Sequence, residues 1–147
     1  MKKIVIRDMH EQDIPSVVQI EQSSFSTPWS APSFLNEIHK SRSIAKVAVS
    51  DGTVIGYICA EQVLDEGHIL NLAVHSGYRR MRIAACLVKN IIEDLKLAKC
   101  RSLYLEVRVS NLIAQGLYKG FSFKIIGIRK TYYLAPEEDA VIMMLEI

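Results

Sequence analysis

Residues 68–108 constrain the fold more than any other part of the chain. His68-Ile-Leu-Asn-Leu-Ala-Val74 is almost wholly apolar, the pattern of a strand covered on both faces. Behind it Leu87, Ile91, Ile92 and Leu95 recur at helical spacing, which predicts a helix over about 82–98, and a further strand follows at 102–108. Strand, helix, strand implies a parallel crossover at the centre of a sheet. The turn before the helix carries Arg79, Arg80 and Arg82. A helix N-terminus has unpaired N–H groups and the positive end of the helix dipole, so guanidinium groups added there predict a site for phosphate or pyrophosphate.

The flanking segments complete one mixed α/β domain over residues 1–147. Residues 3–8 read as a strand. Asp13 is the expected N-cap of a helix running to about Phe25, with Pro15 tolerated in its first turn, and a short helix follows Ser30. Runs at 44–50 and 53–62 flank Asp51-Gly52, a hairpin signal that makes the first half of the sheet antiparallel. Asp65-Glu-Gly67 is expected to turn the chain into the strand at 68–74. A helix at about 111–120 and two final strands end the chain, with no repeat, low-complexity tract or linker.

Composition removes several function classes. Eighteen basic against sixteen acidic residues leave a formal charge of +2, unlike the strongly basic face of a general nucleic-acid binder. Met1-Lys-Lys-Ile-Val-Ile-Arg7 has too short an apolar run for a signal peptide or a membrane span, so a cytoplasmic protein is expected. Cys59, Cys86 and Cys100 lack the close pairing of a zinc site and read as core thiols. The four histidines show no metal-ligand spacing, and no metal is expected.

Individual residues leave alternatives open. Glu106 lies in an otherwise apolar strand, where a carboxylate is out of character; Tyr104, Glu106 and Arg108 share a face by the two-residue period, so Glu106 is either a residue on a wet face or a general base. Tyr118 is either a core tyrosine or a proton donor, since a phenol with a pKa near ~10 is protonated at neutral pH. Asn111 or Ser110 can cap the following helix. Phe25, Pro28 and Trp29 form an aromatic loop that either closes a small core or walls a binding groove. Tyr132 and Tyr133 point to opposite faces if their segment is a regular strand, so at most one should line such a groove.

Arg79-Arg-Met-Arg82-Ile-Ala84 resembles the acyl-CoA-binding motif Arg/Gln-x-x-Gly-x-Gly/Ala of the GNAT family of N-acetyltransferases, with Arg82 where the family has its middle glycine. Leu105-Glu-Val-Arg-Val-Ser-Asn111, then Leu117-Tyr118 and Phe121-Ser-Phe123, resemble Leu-Glu-Val-Arg-x-Ser-Asn and Leu-Tyr-x-x-x-Gly-Phe of the subgroup that acetylates protein N-termini, with Ser122 at a glycine position. Ile20-Glu21, Phe25-Ser-Thr-Pro-Trp-Ser30, Thr131-Tyr132-Tyr133 and Glu138-Asp-Ala-Val-Ile-Met-Met144 are similar to RimI-like ribosomal-protein alanine N-acetyltransferases. The likeness runs from about residue 4 to the C-terminus.

The resemblance implies a GNAT-like fold: a central mixed sheet of about seven strands, about four flanking helices, and a parallel strand pair splayed around acetyl-CoA. It implies cofactor contacts at Leu72, Val74, Arg79, Arg80, Arg82, Ile83, Ala84 and Asn111, with a strand-end N–H, that of Val74, as oxyanion donor. Glu106 would be the general base and Tyr118 the donor to the thiolate. Glu21, Phe25, Trp29 and Tyr132 would line the peptide groove, and the implied acceptor is the N-terminal alanine of small-subunit ribosomal protein eighteen. An α-amine with a pKa near ~8 is roughly a fifth neutral at physiological pH, against about a thousandth for lysine, so a single carboxylate suits an N-terminal substrate better. Arg82 and Ser122 keep two rivals in view, a GNAT enzyme for lysine or a small amine and an acyl-CoA-binding module without turnover.

Overall fold

The computed structural model describes residues 3–79 and 82–147. One seven-stranded sheet runs through them in the order β1-β2-β3-β4-β5-β7-β6, built from β1 (Ile4–Asp8), β2 (Ser43–Ser50), β3 (Thr53–Val63), β4 (Glu66–Val74), β5 (Ser102–Arg108), β6 (Lys124–Leu134) and β7 (Glu137–Glu146). Four helices flank it: α1 (Ile14–Ser24), α2 (Ala31–His39), α3 (Ile83–Leu97) and α4 (Leu112–Gly120). Every pairing is antiparallel except β4 with β5, the strands joined through α3, so the mixed sheet with one parallel crossover is as predicted.

β3 shows why two faces need covering. Ile55, Ile58 and Ala60 pack with α3 residues Ile83, Leu87, Ile91 and Leu95 on one face, whereas Tyr57 and Cys59 pack with Val17, Ile20 and Phe34 of α1 and α2 on the other. Alternation over residues 57–60 therefore feeds two apolar layers, and the bulge that leaves Ile55 unpaired between Val54 and Gly56 returns it to the α3 face. Gly67 lets α3 approach, since a Cβ there would lie 2.7 Å from Leu95 Cδ1. Asp51 and Gly52 both take positive φ in the β2–β3 turn, the conformation that a tight two-residue hairpin needs.

Several local expectations are corrected. Asp13 precedes α1 but does not cap it: its carboxylate accepts from the His10 N–H at 2.8 Å and from both Arg7 guanidinium nitrogens at 2.7 and 3.0 Å, tying β1 to the turn. The turn into β4 lies one step earlier than predicted, at Leu64 and Asp65, and Glu66 and Gly67 already belong to the strand. Cys59 and Cys100 are buried, but Cys86 is exposed, because the buried stripe of α3 runs through Ile83, Leu87, Val88 and Ile91 and turns position 86 outward.

Candidate active site

The parallel ladder is short. Glu66, Gly67 and His68 pair with Ser102, Leu103 and Tyr104, and beyond these the two strands separate although β4 continues to Val74 and β5 to Arg108. The gap opens into a cleft of about 750 Å³ with walls from both strands, α4, the loop after α1 and the end of β6. The His75 N–H donates to the Ile55 carbonyl of β3 at 2.8 Å, so strand alternation turns the Val74 N–H the other way, toward the gap. Leu72 lines the same cleft.

At one mouth of the gap stands the start of α3. Arg82 occupies its N-cap with φ 59° and ψ 24°, the left-handed conformation that a glycine would take there, at a cost on the order of 1 kcal/mol. The turn survives the missing glycine, and the exposed Arg82 side chain stands beside the unpaired N–H groups of the first turn. Arg79 donates through Nε to the Val74 carbonyl at 3.3 Å and thereby braces the strand end. Ile83 is buried in the core, so only its backbone can face an anion; Ala84 is partly buried. Arg80 lies outside the described residues. An anionic, extended ligand fits these donors and the gap together.

Inside the cleft, β5 alternates as the two-residue period requires: Leu103, Leu105 and Val107 are buried, and Tyr104, Glu106 and Arg108 turn to the other face. Glu106 is not alone there. Its Oε2 lies 2.6 Å from His68 Nε2, and Arg129 Nη1 approaches Oε1 at 3.4 Å. The hydrogen bond from His68 holds the Glu106 carboxyl below the usual carboxylate range, and the same bond raises the His68 imidazole above its ordinary value. Across the cleft, Tyr118 on α4 is only 6% exposed and packs edge-on to Phe123 with ring centroids 5.4 Å apart. Burial pushes its phenol well up, so it keeps its proton at neutral pH.

Asn111, rather than Ser110, caps α4, its Oδ1 accepting from the Ala114 N–H at 3.1 Å while the residue lines the cleft. Ser122, just past α4, has φ 74°, the left-handed geometry expected of the glycine it replaces. Glu21 is buried at 1% exposure, yet reaches the cleft. Its oxygens accept from the Tyr57 hydroxyl, from Asn71 Nδ2 at 2.7 Å and from the Trp29 N–H at 2.9 Å, so it also anchors the aromatic loop. Trp29 packs on Phe34 at 5.2 Å, while Phe25 is half exposed to the cleft.

Both Tyr132 and Tyr133 line the cleft, against the expectation of one. Thr131 takes φ 52° and the register of β6 on β7 shifts between Arg129 and Tyr133, which breaks the alternation that would have separated the rings. Arg108 lies 4.2 Å over the Tyr133 ring and Arg129 5.3 Å over that of Tyr132. The Ser26 hydroxyl donates to the Ala135 carbonyl, joining the loop after α1 to the β6–β7 turn above the cleft.

His68, Asn71 and Arg129 escaped the sequence reading. A polar residue in an otherwise apolar strand was the signal that exposed Glu106, and His68 and Asn71 carry the same signal in β4. Among the described residues no group of His, Cys, Asp and Glu is arranged to hold a metal ion, and no helix is long and apolar enough to cross a membrane.

Residues 14–123 match the Acetyltransferase (GNAT) family. A Bacillus subtilis protein provisionally named ribosomal protein bS18-alanine N-acetyltransferase is 40% identical over 146 residues, covering 99% of this chain and 97% of the relative. The ribosomal protein bS18-alanine N-acetyltransferase of Escherichia coli K12 is 32% identical, with 97% of each chain covered. The crystal structure of the ribosomal-protein-S18-alanine N-acetyltransferase from Escherichia coli superposes with a TM-score of 0.91 at 31% identity, covering 99% of this chain and 94% of that one.

Proposed function

The chain belongs to the acetyltransferase (GNAT) family, and we propose that it transfers acetyl from acetyl-CoA to the α-amine of a protein N-terminus, specifically the N-terminal alanine of ribosomal protein bS18, in the cytoplasm. The observation that carries this reading is the gap after three parallel pairs, with a carboxylate on one wall and a buried, protonated phenol on the other. A thioester placed in that gap has the donors at the start of α3 at one end and Glu21, Phe25 and Tyr132 at the other.

The mechanism follows from the lining. The donor's diphosphate meets the unpaired N–H groups of α3 with Arg79 and Arg82 beside them, and Arg80 is assigned to the same cluster. Leu72 and Val74 offer strand-edge backbone to the pantetheine arm, and Asn111 borders it from α4. The amine enters between Glu21, Phe25, Trp29 and Tyr132. The hydrogen-bonded pair of the Glu106 carboxylate and the His68 imidazole draws off the ammonium proton, directly or through a water. The neutral nitrogen attacks the thioester carbon, the Val74 N–H stabilises the oxygen as it gains charge, and Tyr118 donates its proton to the leaving thiolate.

Because an α-amine is already partly neutral near pH 7, most of the rate comes from holding nucleophile and thioester together. Both turns form at Arg82 and Ser122 with the left-handed geometry a glycine would take, which supports an intact cofactor turn. The test is competition between a peptide beginning Ala-Arg, the same peptide with a blocked N-terminus and an internal lysine, and a small amine. Product confined to the free N-terminus is expected; preference for the lysine or the small amine would overturn the acceptor assignment.

A further inference from the structure

The pairing of His68 with Glu106 is more than a neighbour contact, because it lies where the parallel ladder stops and both residues line the cleft. An ionised carboxylate only accepts hydrogen bonds, so the 2.6 Å contact requires that His68 Nε2 carry the hydrogen, and in the neutral ring this leaves the Nδ1 lone pair open. We propose that His68 Nδ1 is the resting place of the proton removed from the substrate amine, with Glu106 as the group that fixes the imidazole and stabilises the imidazolium. This deepens the proposed acetyl transfer and rests on it.

The balance is simple. One proton passes from the ammonium to Nδ1, directly or through a water, and later leaves to solvent; the C–N bond forms as the C–S bond breaks; the second amine proton passes to water as the amide forms, and the thiolate gains a proton from Tyr118, which is reprotonated from solvent, so one proton is released per turnover. Protonating Glu106 itself is the less favourable course, since its carboxyl is held low by the same hydrogen bond. The surroundings of His68 favour its charged form on balance. Glu106 faces it from β5, and Glu61, its register partner on β3, adds a second negative charge; burial and Arg129 on β6 oppose them, and Tyr104 lies opposite on β5. About a third of the side chain, 34%, remains accessible, enough for an amine or a water to reach.

In the active enzyme His68 is neutral, so kcat/KM should fall as pH drops through an ionisation lying above the ordinary imidazole value of 6.5. His68→Gln keeps a donor for Glu106 and removes the titrating nitrogen. Its kcat/KM should drop by roughly 10²-fold or more, and that acidic limb should vanish. A wild-type rate in His68→Gln, or an unchanged limb, would overturn the proposal. Should the variant fold poorly, proton NMR titration of the His68 ring in the wild-type enzyme carries the test. A midpoint matching the kinetic limb, and falling in Glu106→Gln, is expected, whereas a His68 midpoint away from the limb is fatal. Because the profile is read with whichever amine the enzyme acetylates, a wrong acceptor and a wrong role for His68 give separate results.

Discussion

Two carboxylates border one cleft, and their partners divide their work. Glu21 accepts from three neutral donors, on β3, β4 and the aromatic loop, and so joins structure to substrate groove. An amide offers a single acceptor oxygen, so Glu21→Gln leaves at least one buried donor poorly paired and should cost about 1–3 kcal/mol, read as a lower urea midpoint. Glu106 meets a titrating imidazole instead. Glu106→Gln should lower turnover by at least ~10²-fold with little change in acetyl-CoA affinity, and equal loss of both would remove it from the proton transfer. Tyr118→Phe should slow the chemical step, visible in single-turnover acetylation; a rate matching wild type across pH would exclude Tyr118 as the acid. Glu106 could be found from sequence because charge stands out in an apolar strand. Its pairing with His68 could not, because that depends on which residues of two distant strands face each other across the parallel register.

At the scale of elements, the fold was legible where period and turn chemistry agree: the Asp51-Gly52 hairpin, the apolar β4, and α3 with its buried stripe. Irregular backbone was not legible. Nothing local in Thr131-Tyr132-Tyr133 announces that β6 shifts register and presents both rings, because the shift is set by pairing with β7. The two replaced glycines test how far the turn geometry itself matters. Ser122 is exposed with φ 74°, so Ser122→Gly should stabilise by about 0.5–1 kcal/mol and raise Tm by roughly 2–4 °C, measured by thermal unfolding. Arg82→Gly relaxes the same strain at the start of α3 and should preserve or improve acetyl-CoA affinity in calorimetry. A loss of tenfold, ~1.4 kcal/mol, would instead show that the guanidinium's phosphate contact outweighs the relaxed turn.

At the scale of the whole molecule, two apolar layers sandwich a sheet whose parallel pair, β4 with β5, separates after three residues, and the cleft is the consequence of that separation. A charge pair between β1 and the turn before α1 tunes stability with pH. Burial works against the Asp13 carboxylate, but Arg7 and the His10 N–H outweigh it and hold the group below its ordinary 3.8. Its stabilisation is therefore complete above that value and is lost as pH falls through the folded-state one, so Asp13→Asn should lower the urea midpoint more at about pH 6 than at about pH 2. The most direct measurement of what the molecule does is mass mapping of ribosomal protein bS18, prepared with a free N-terminal alanine and incubated with this protein and acetyl-CoA. A single acetyl group on the alanine nitrogen is expected, and acetyl groups confined to internal lysines, or none while acetyl-CoA binds, would contradict N-terminal acetylation.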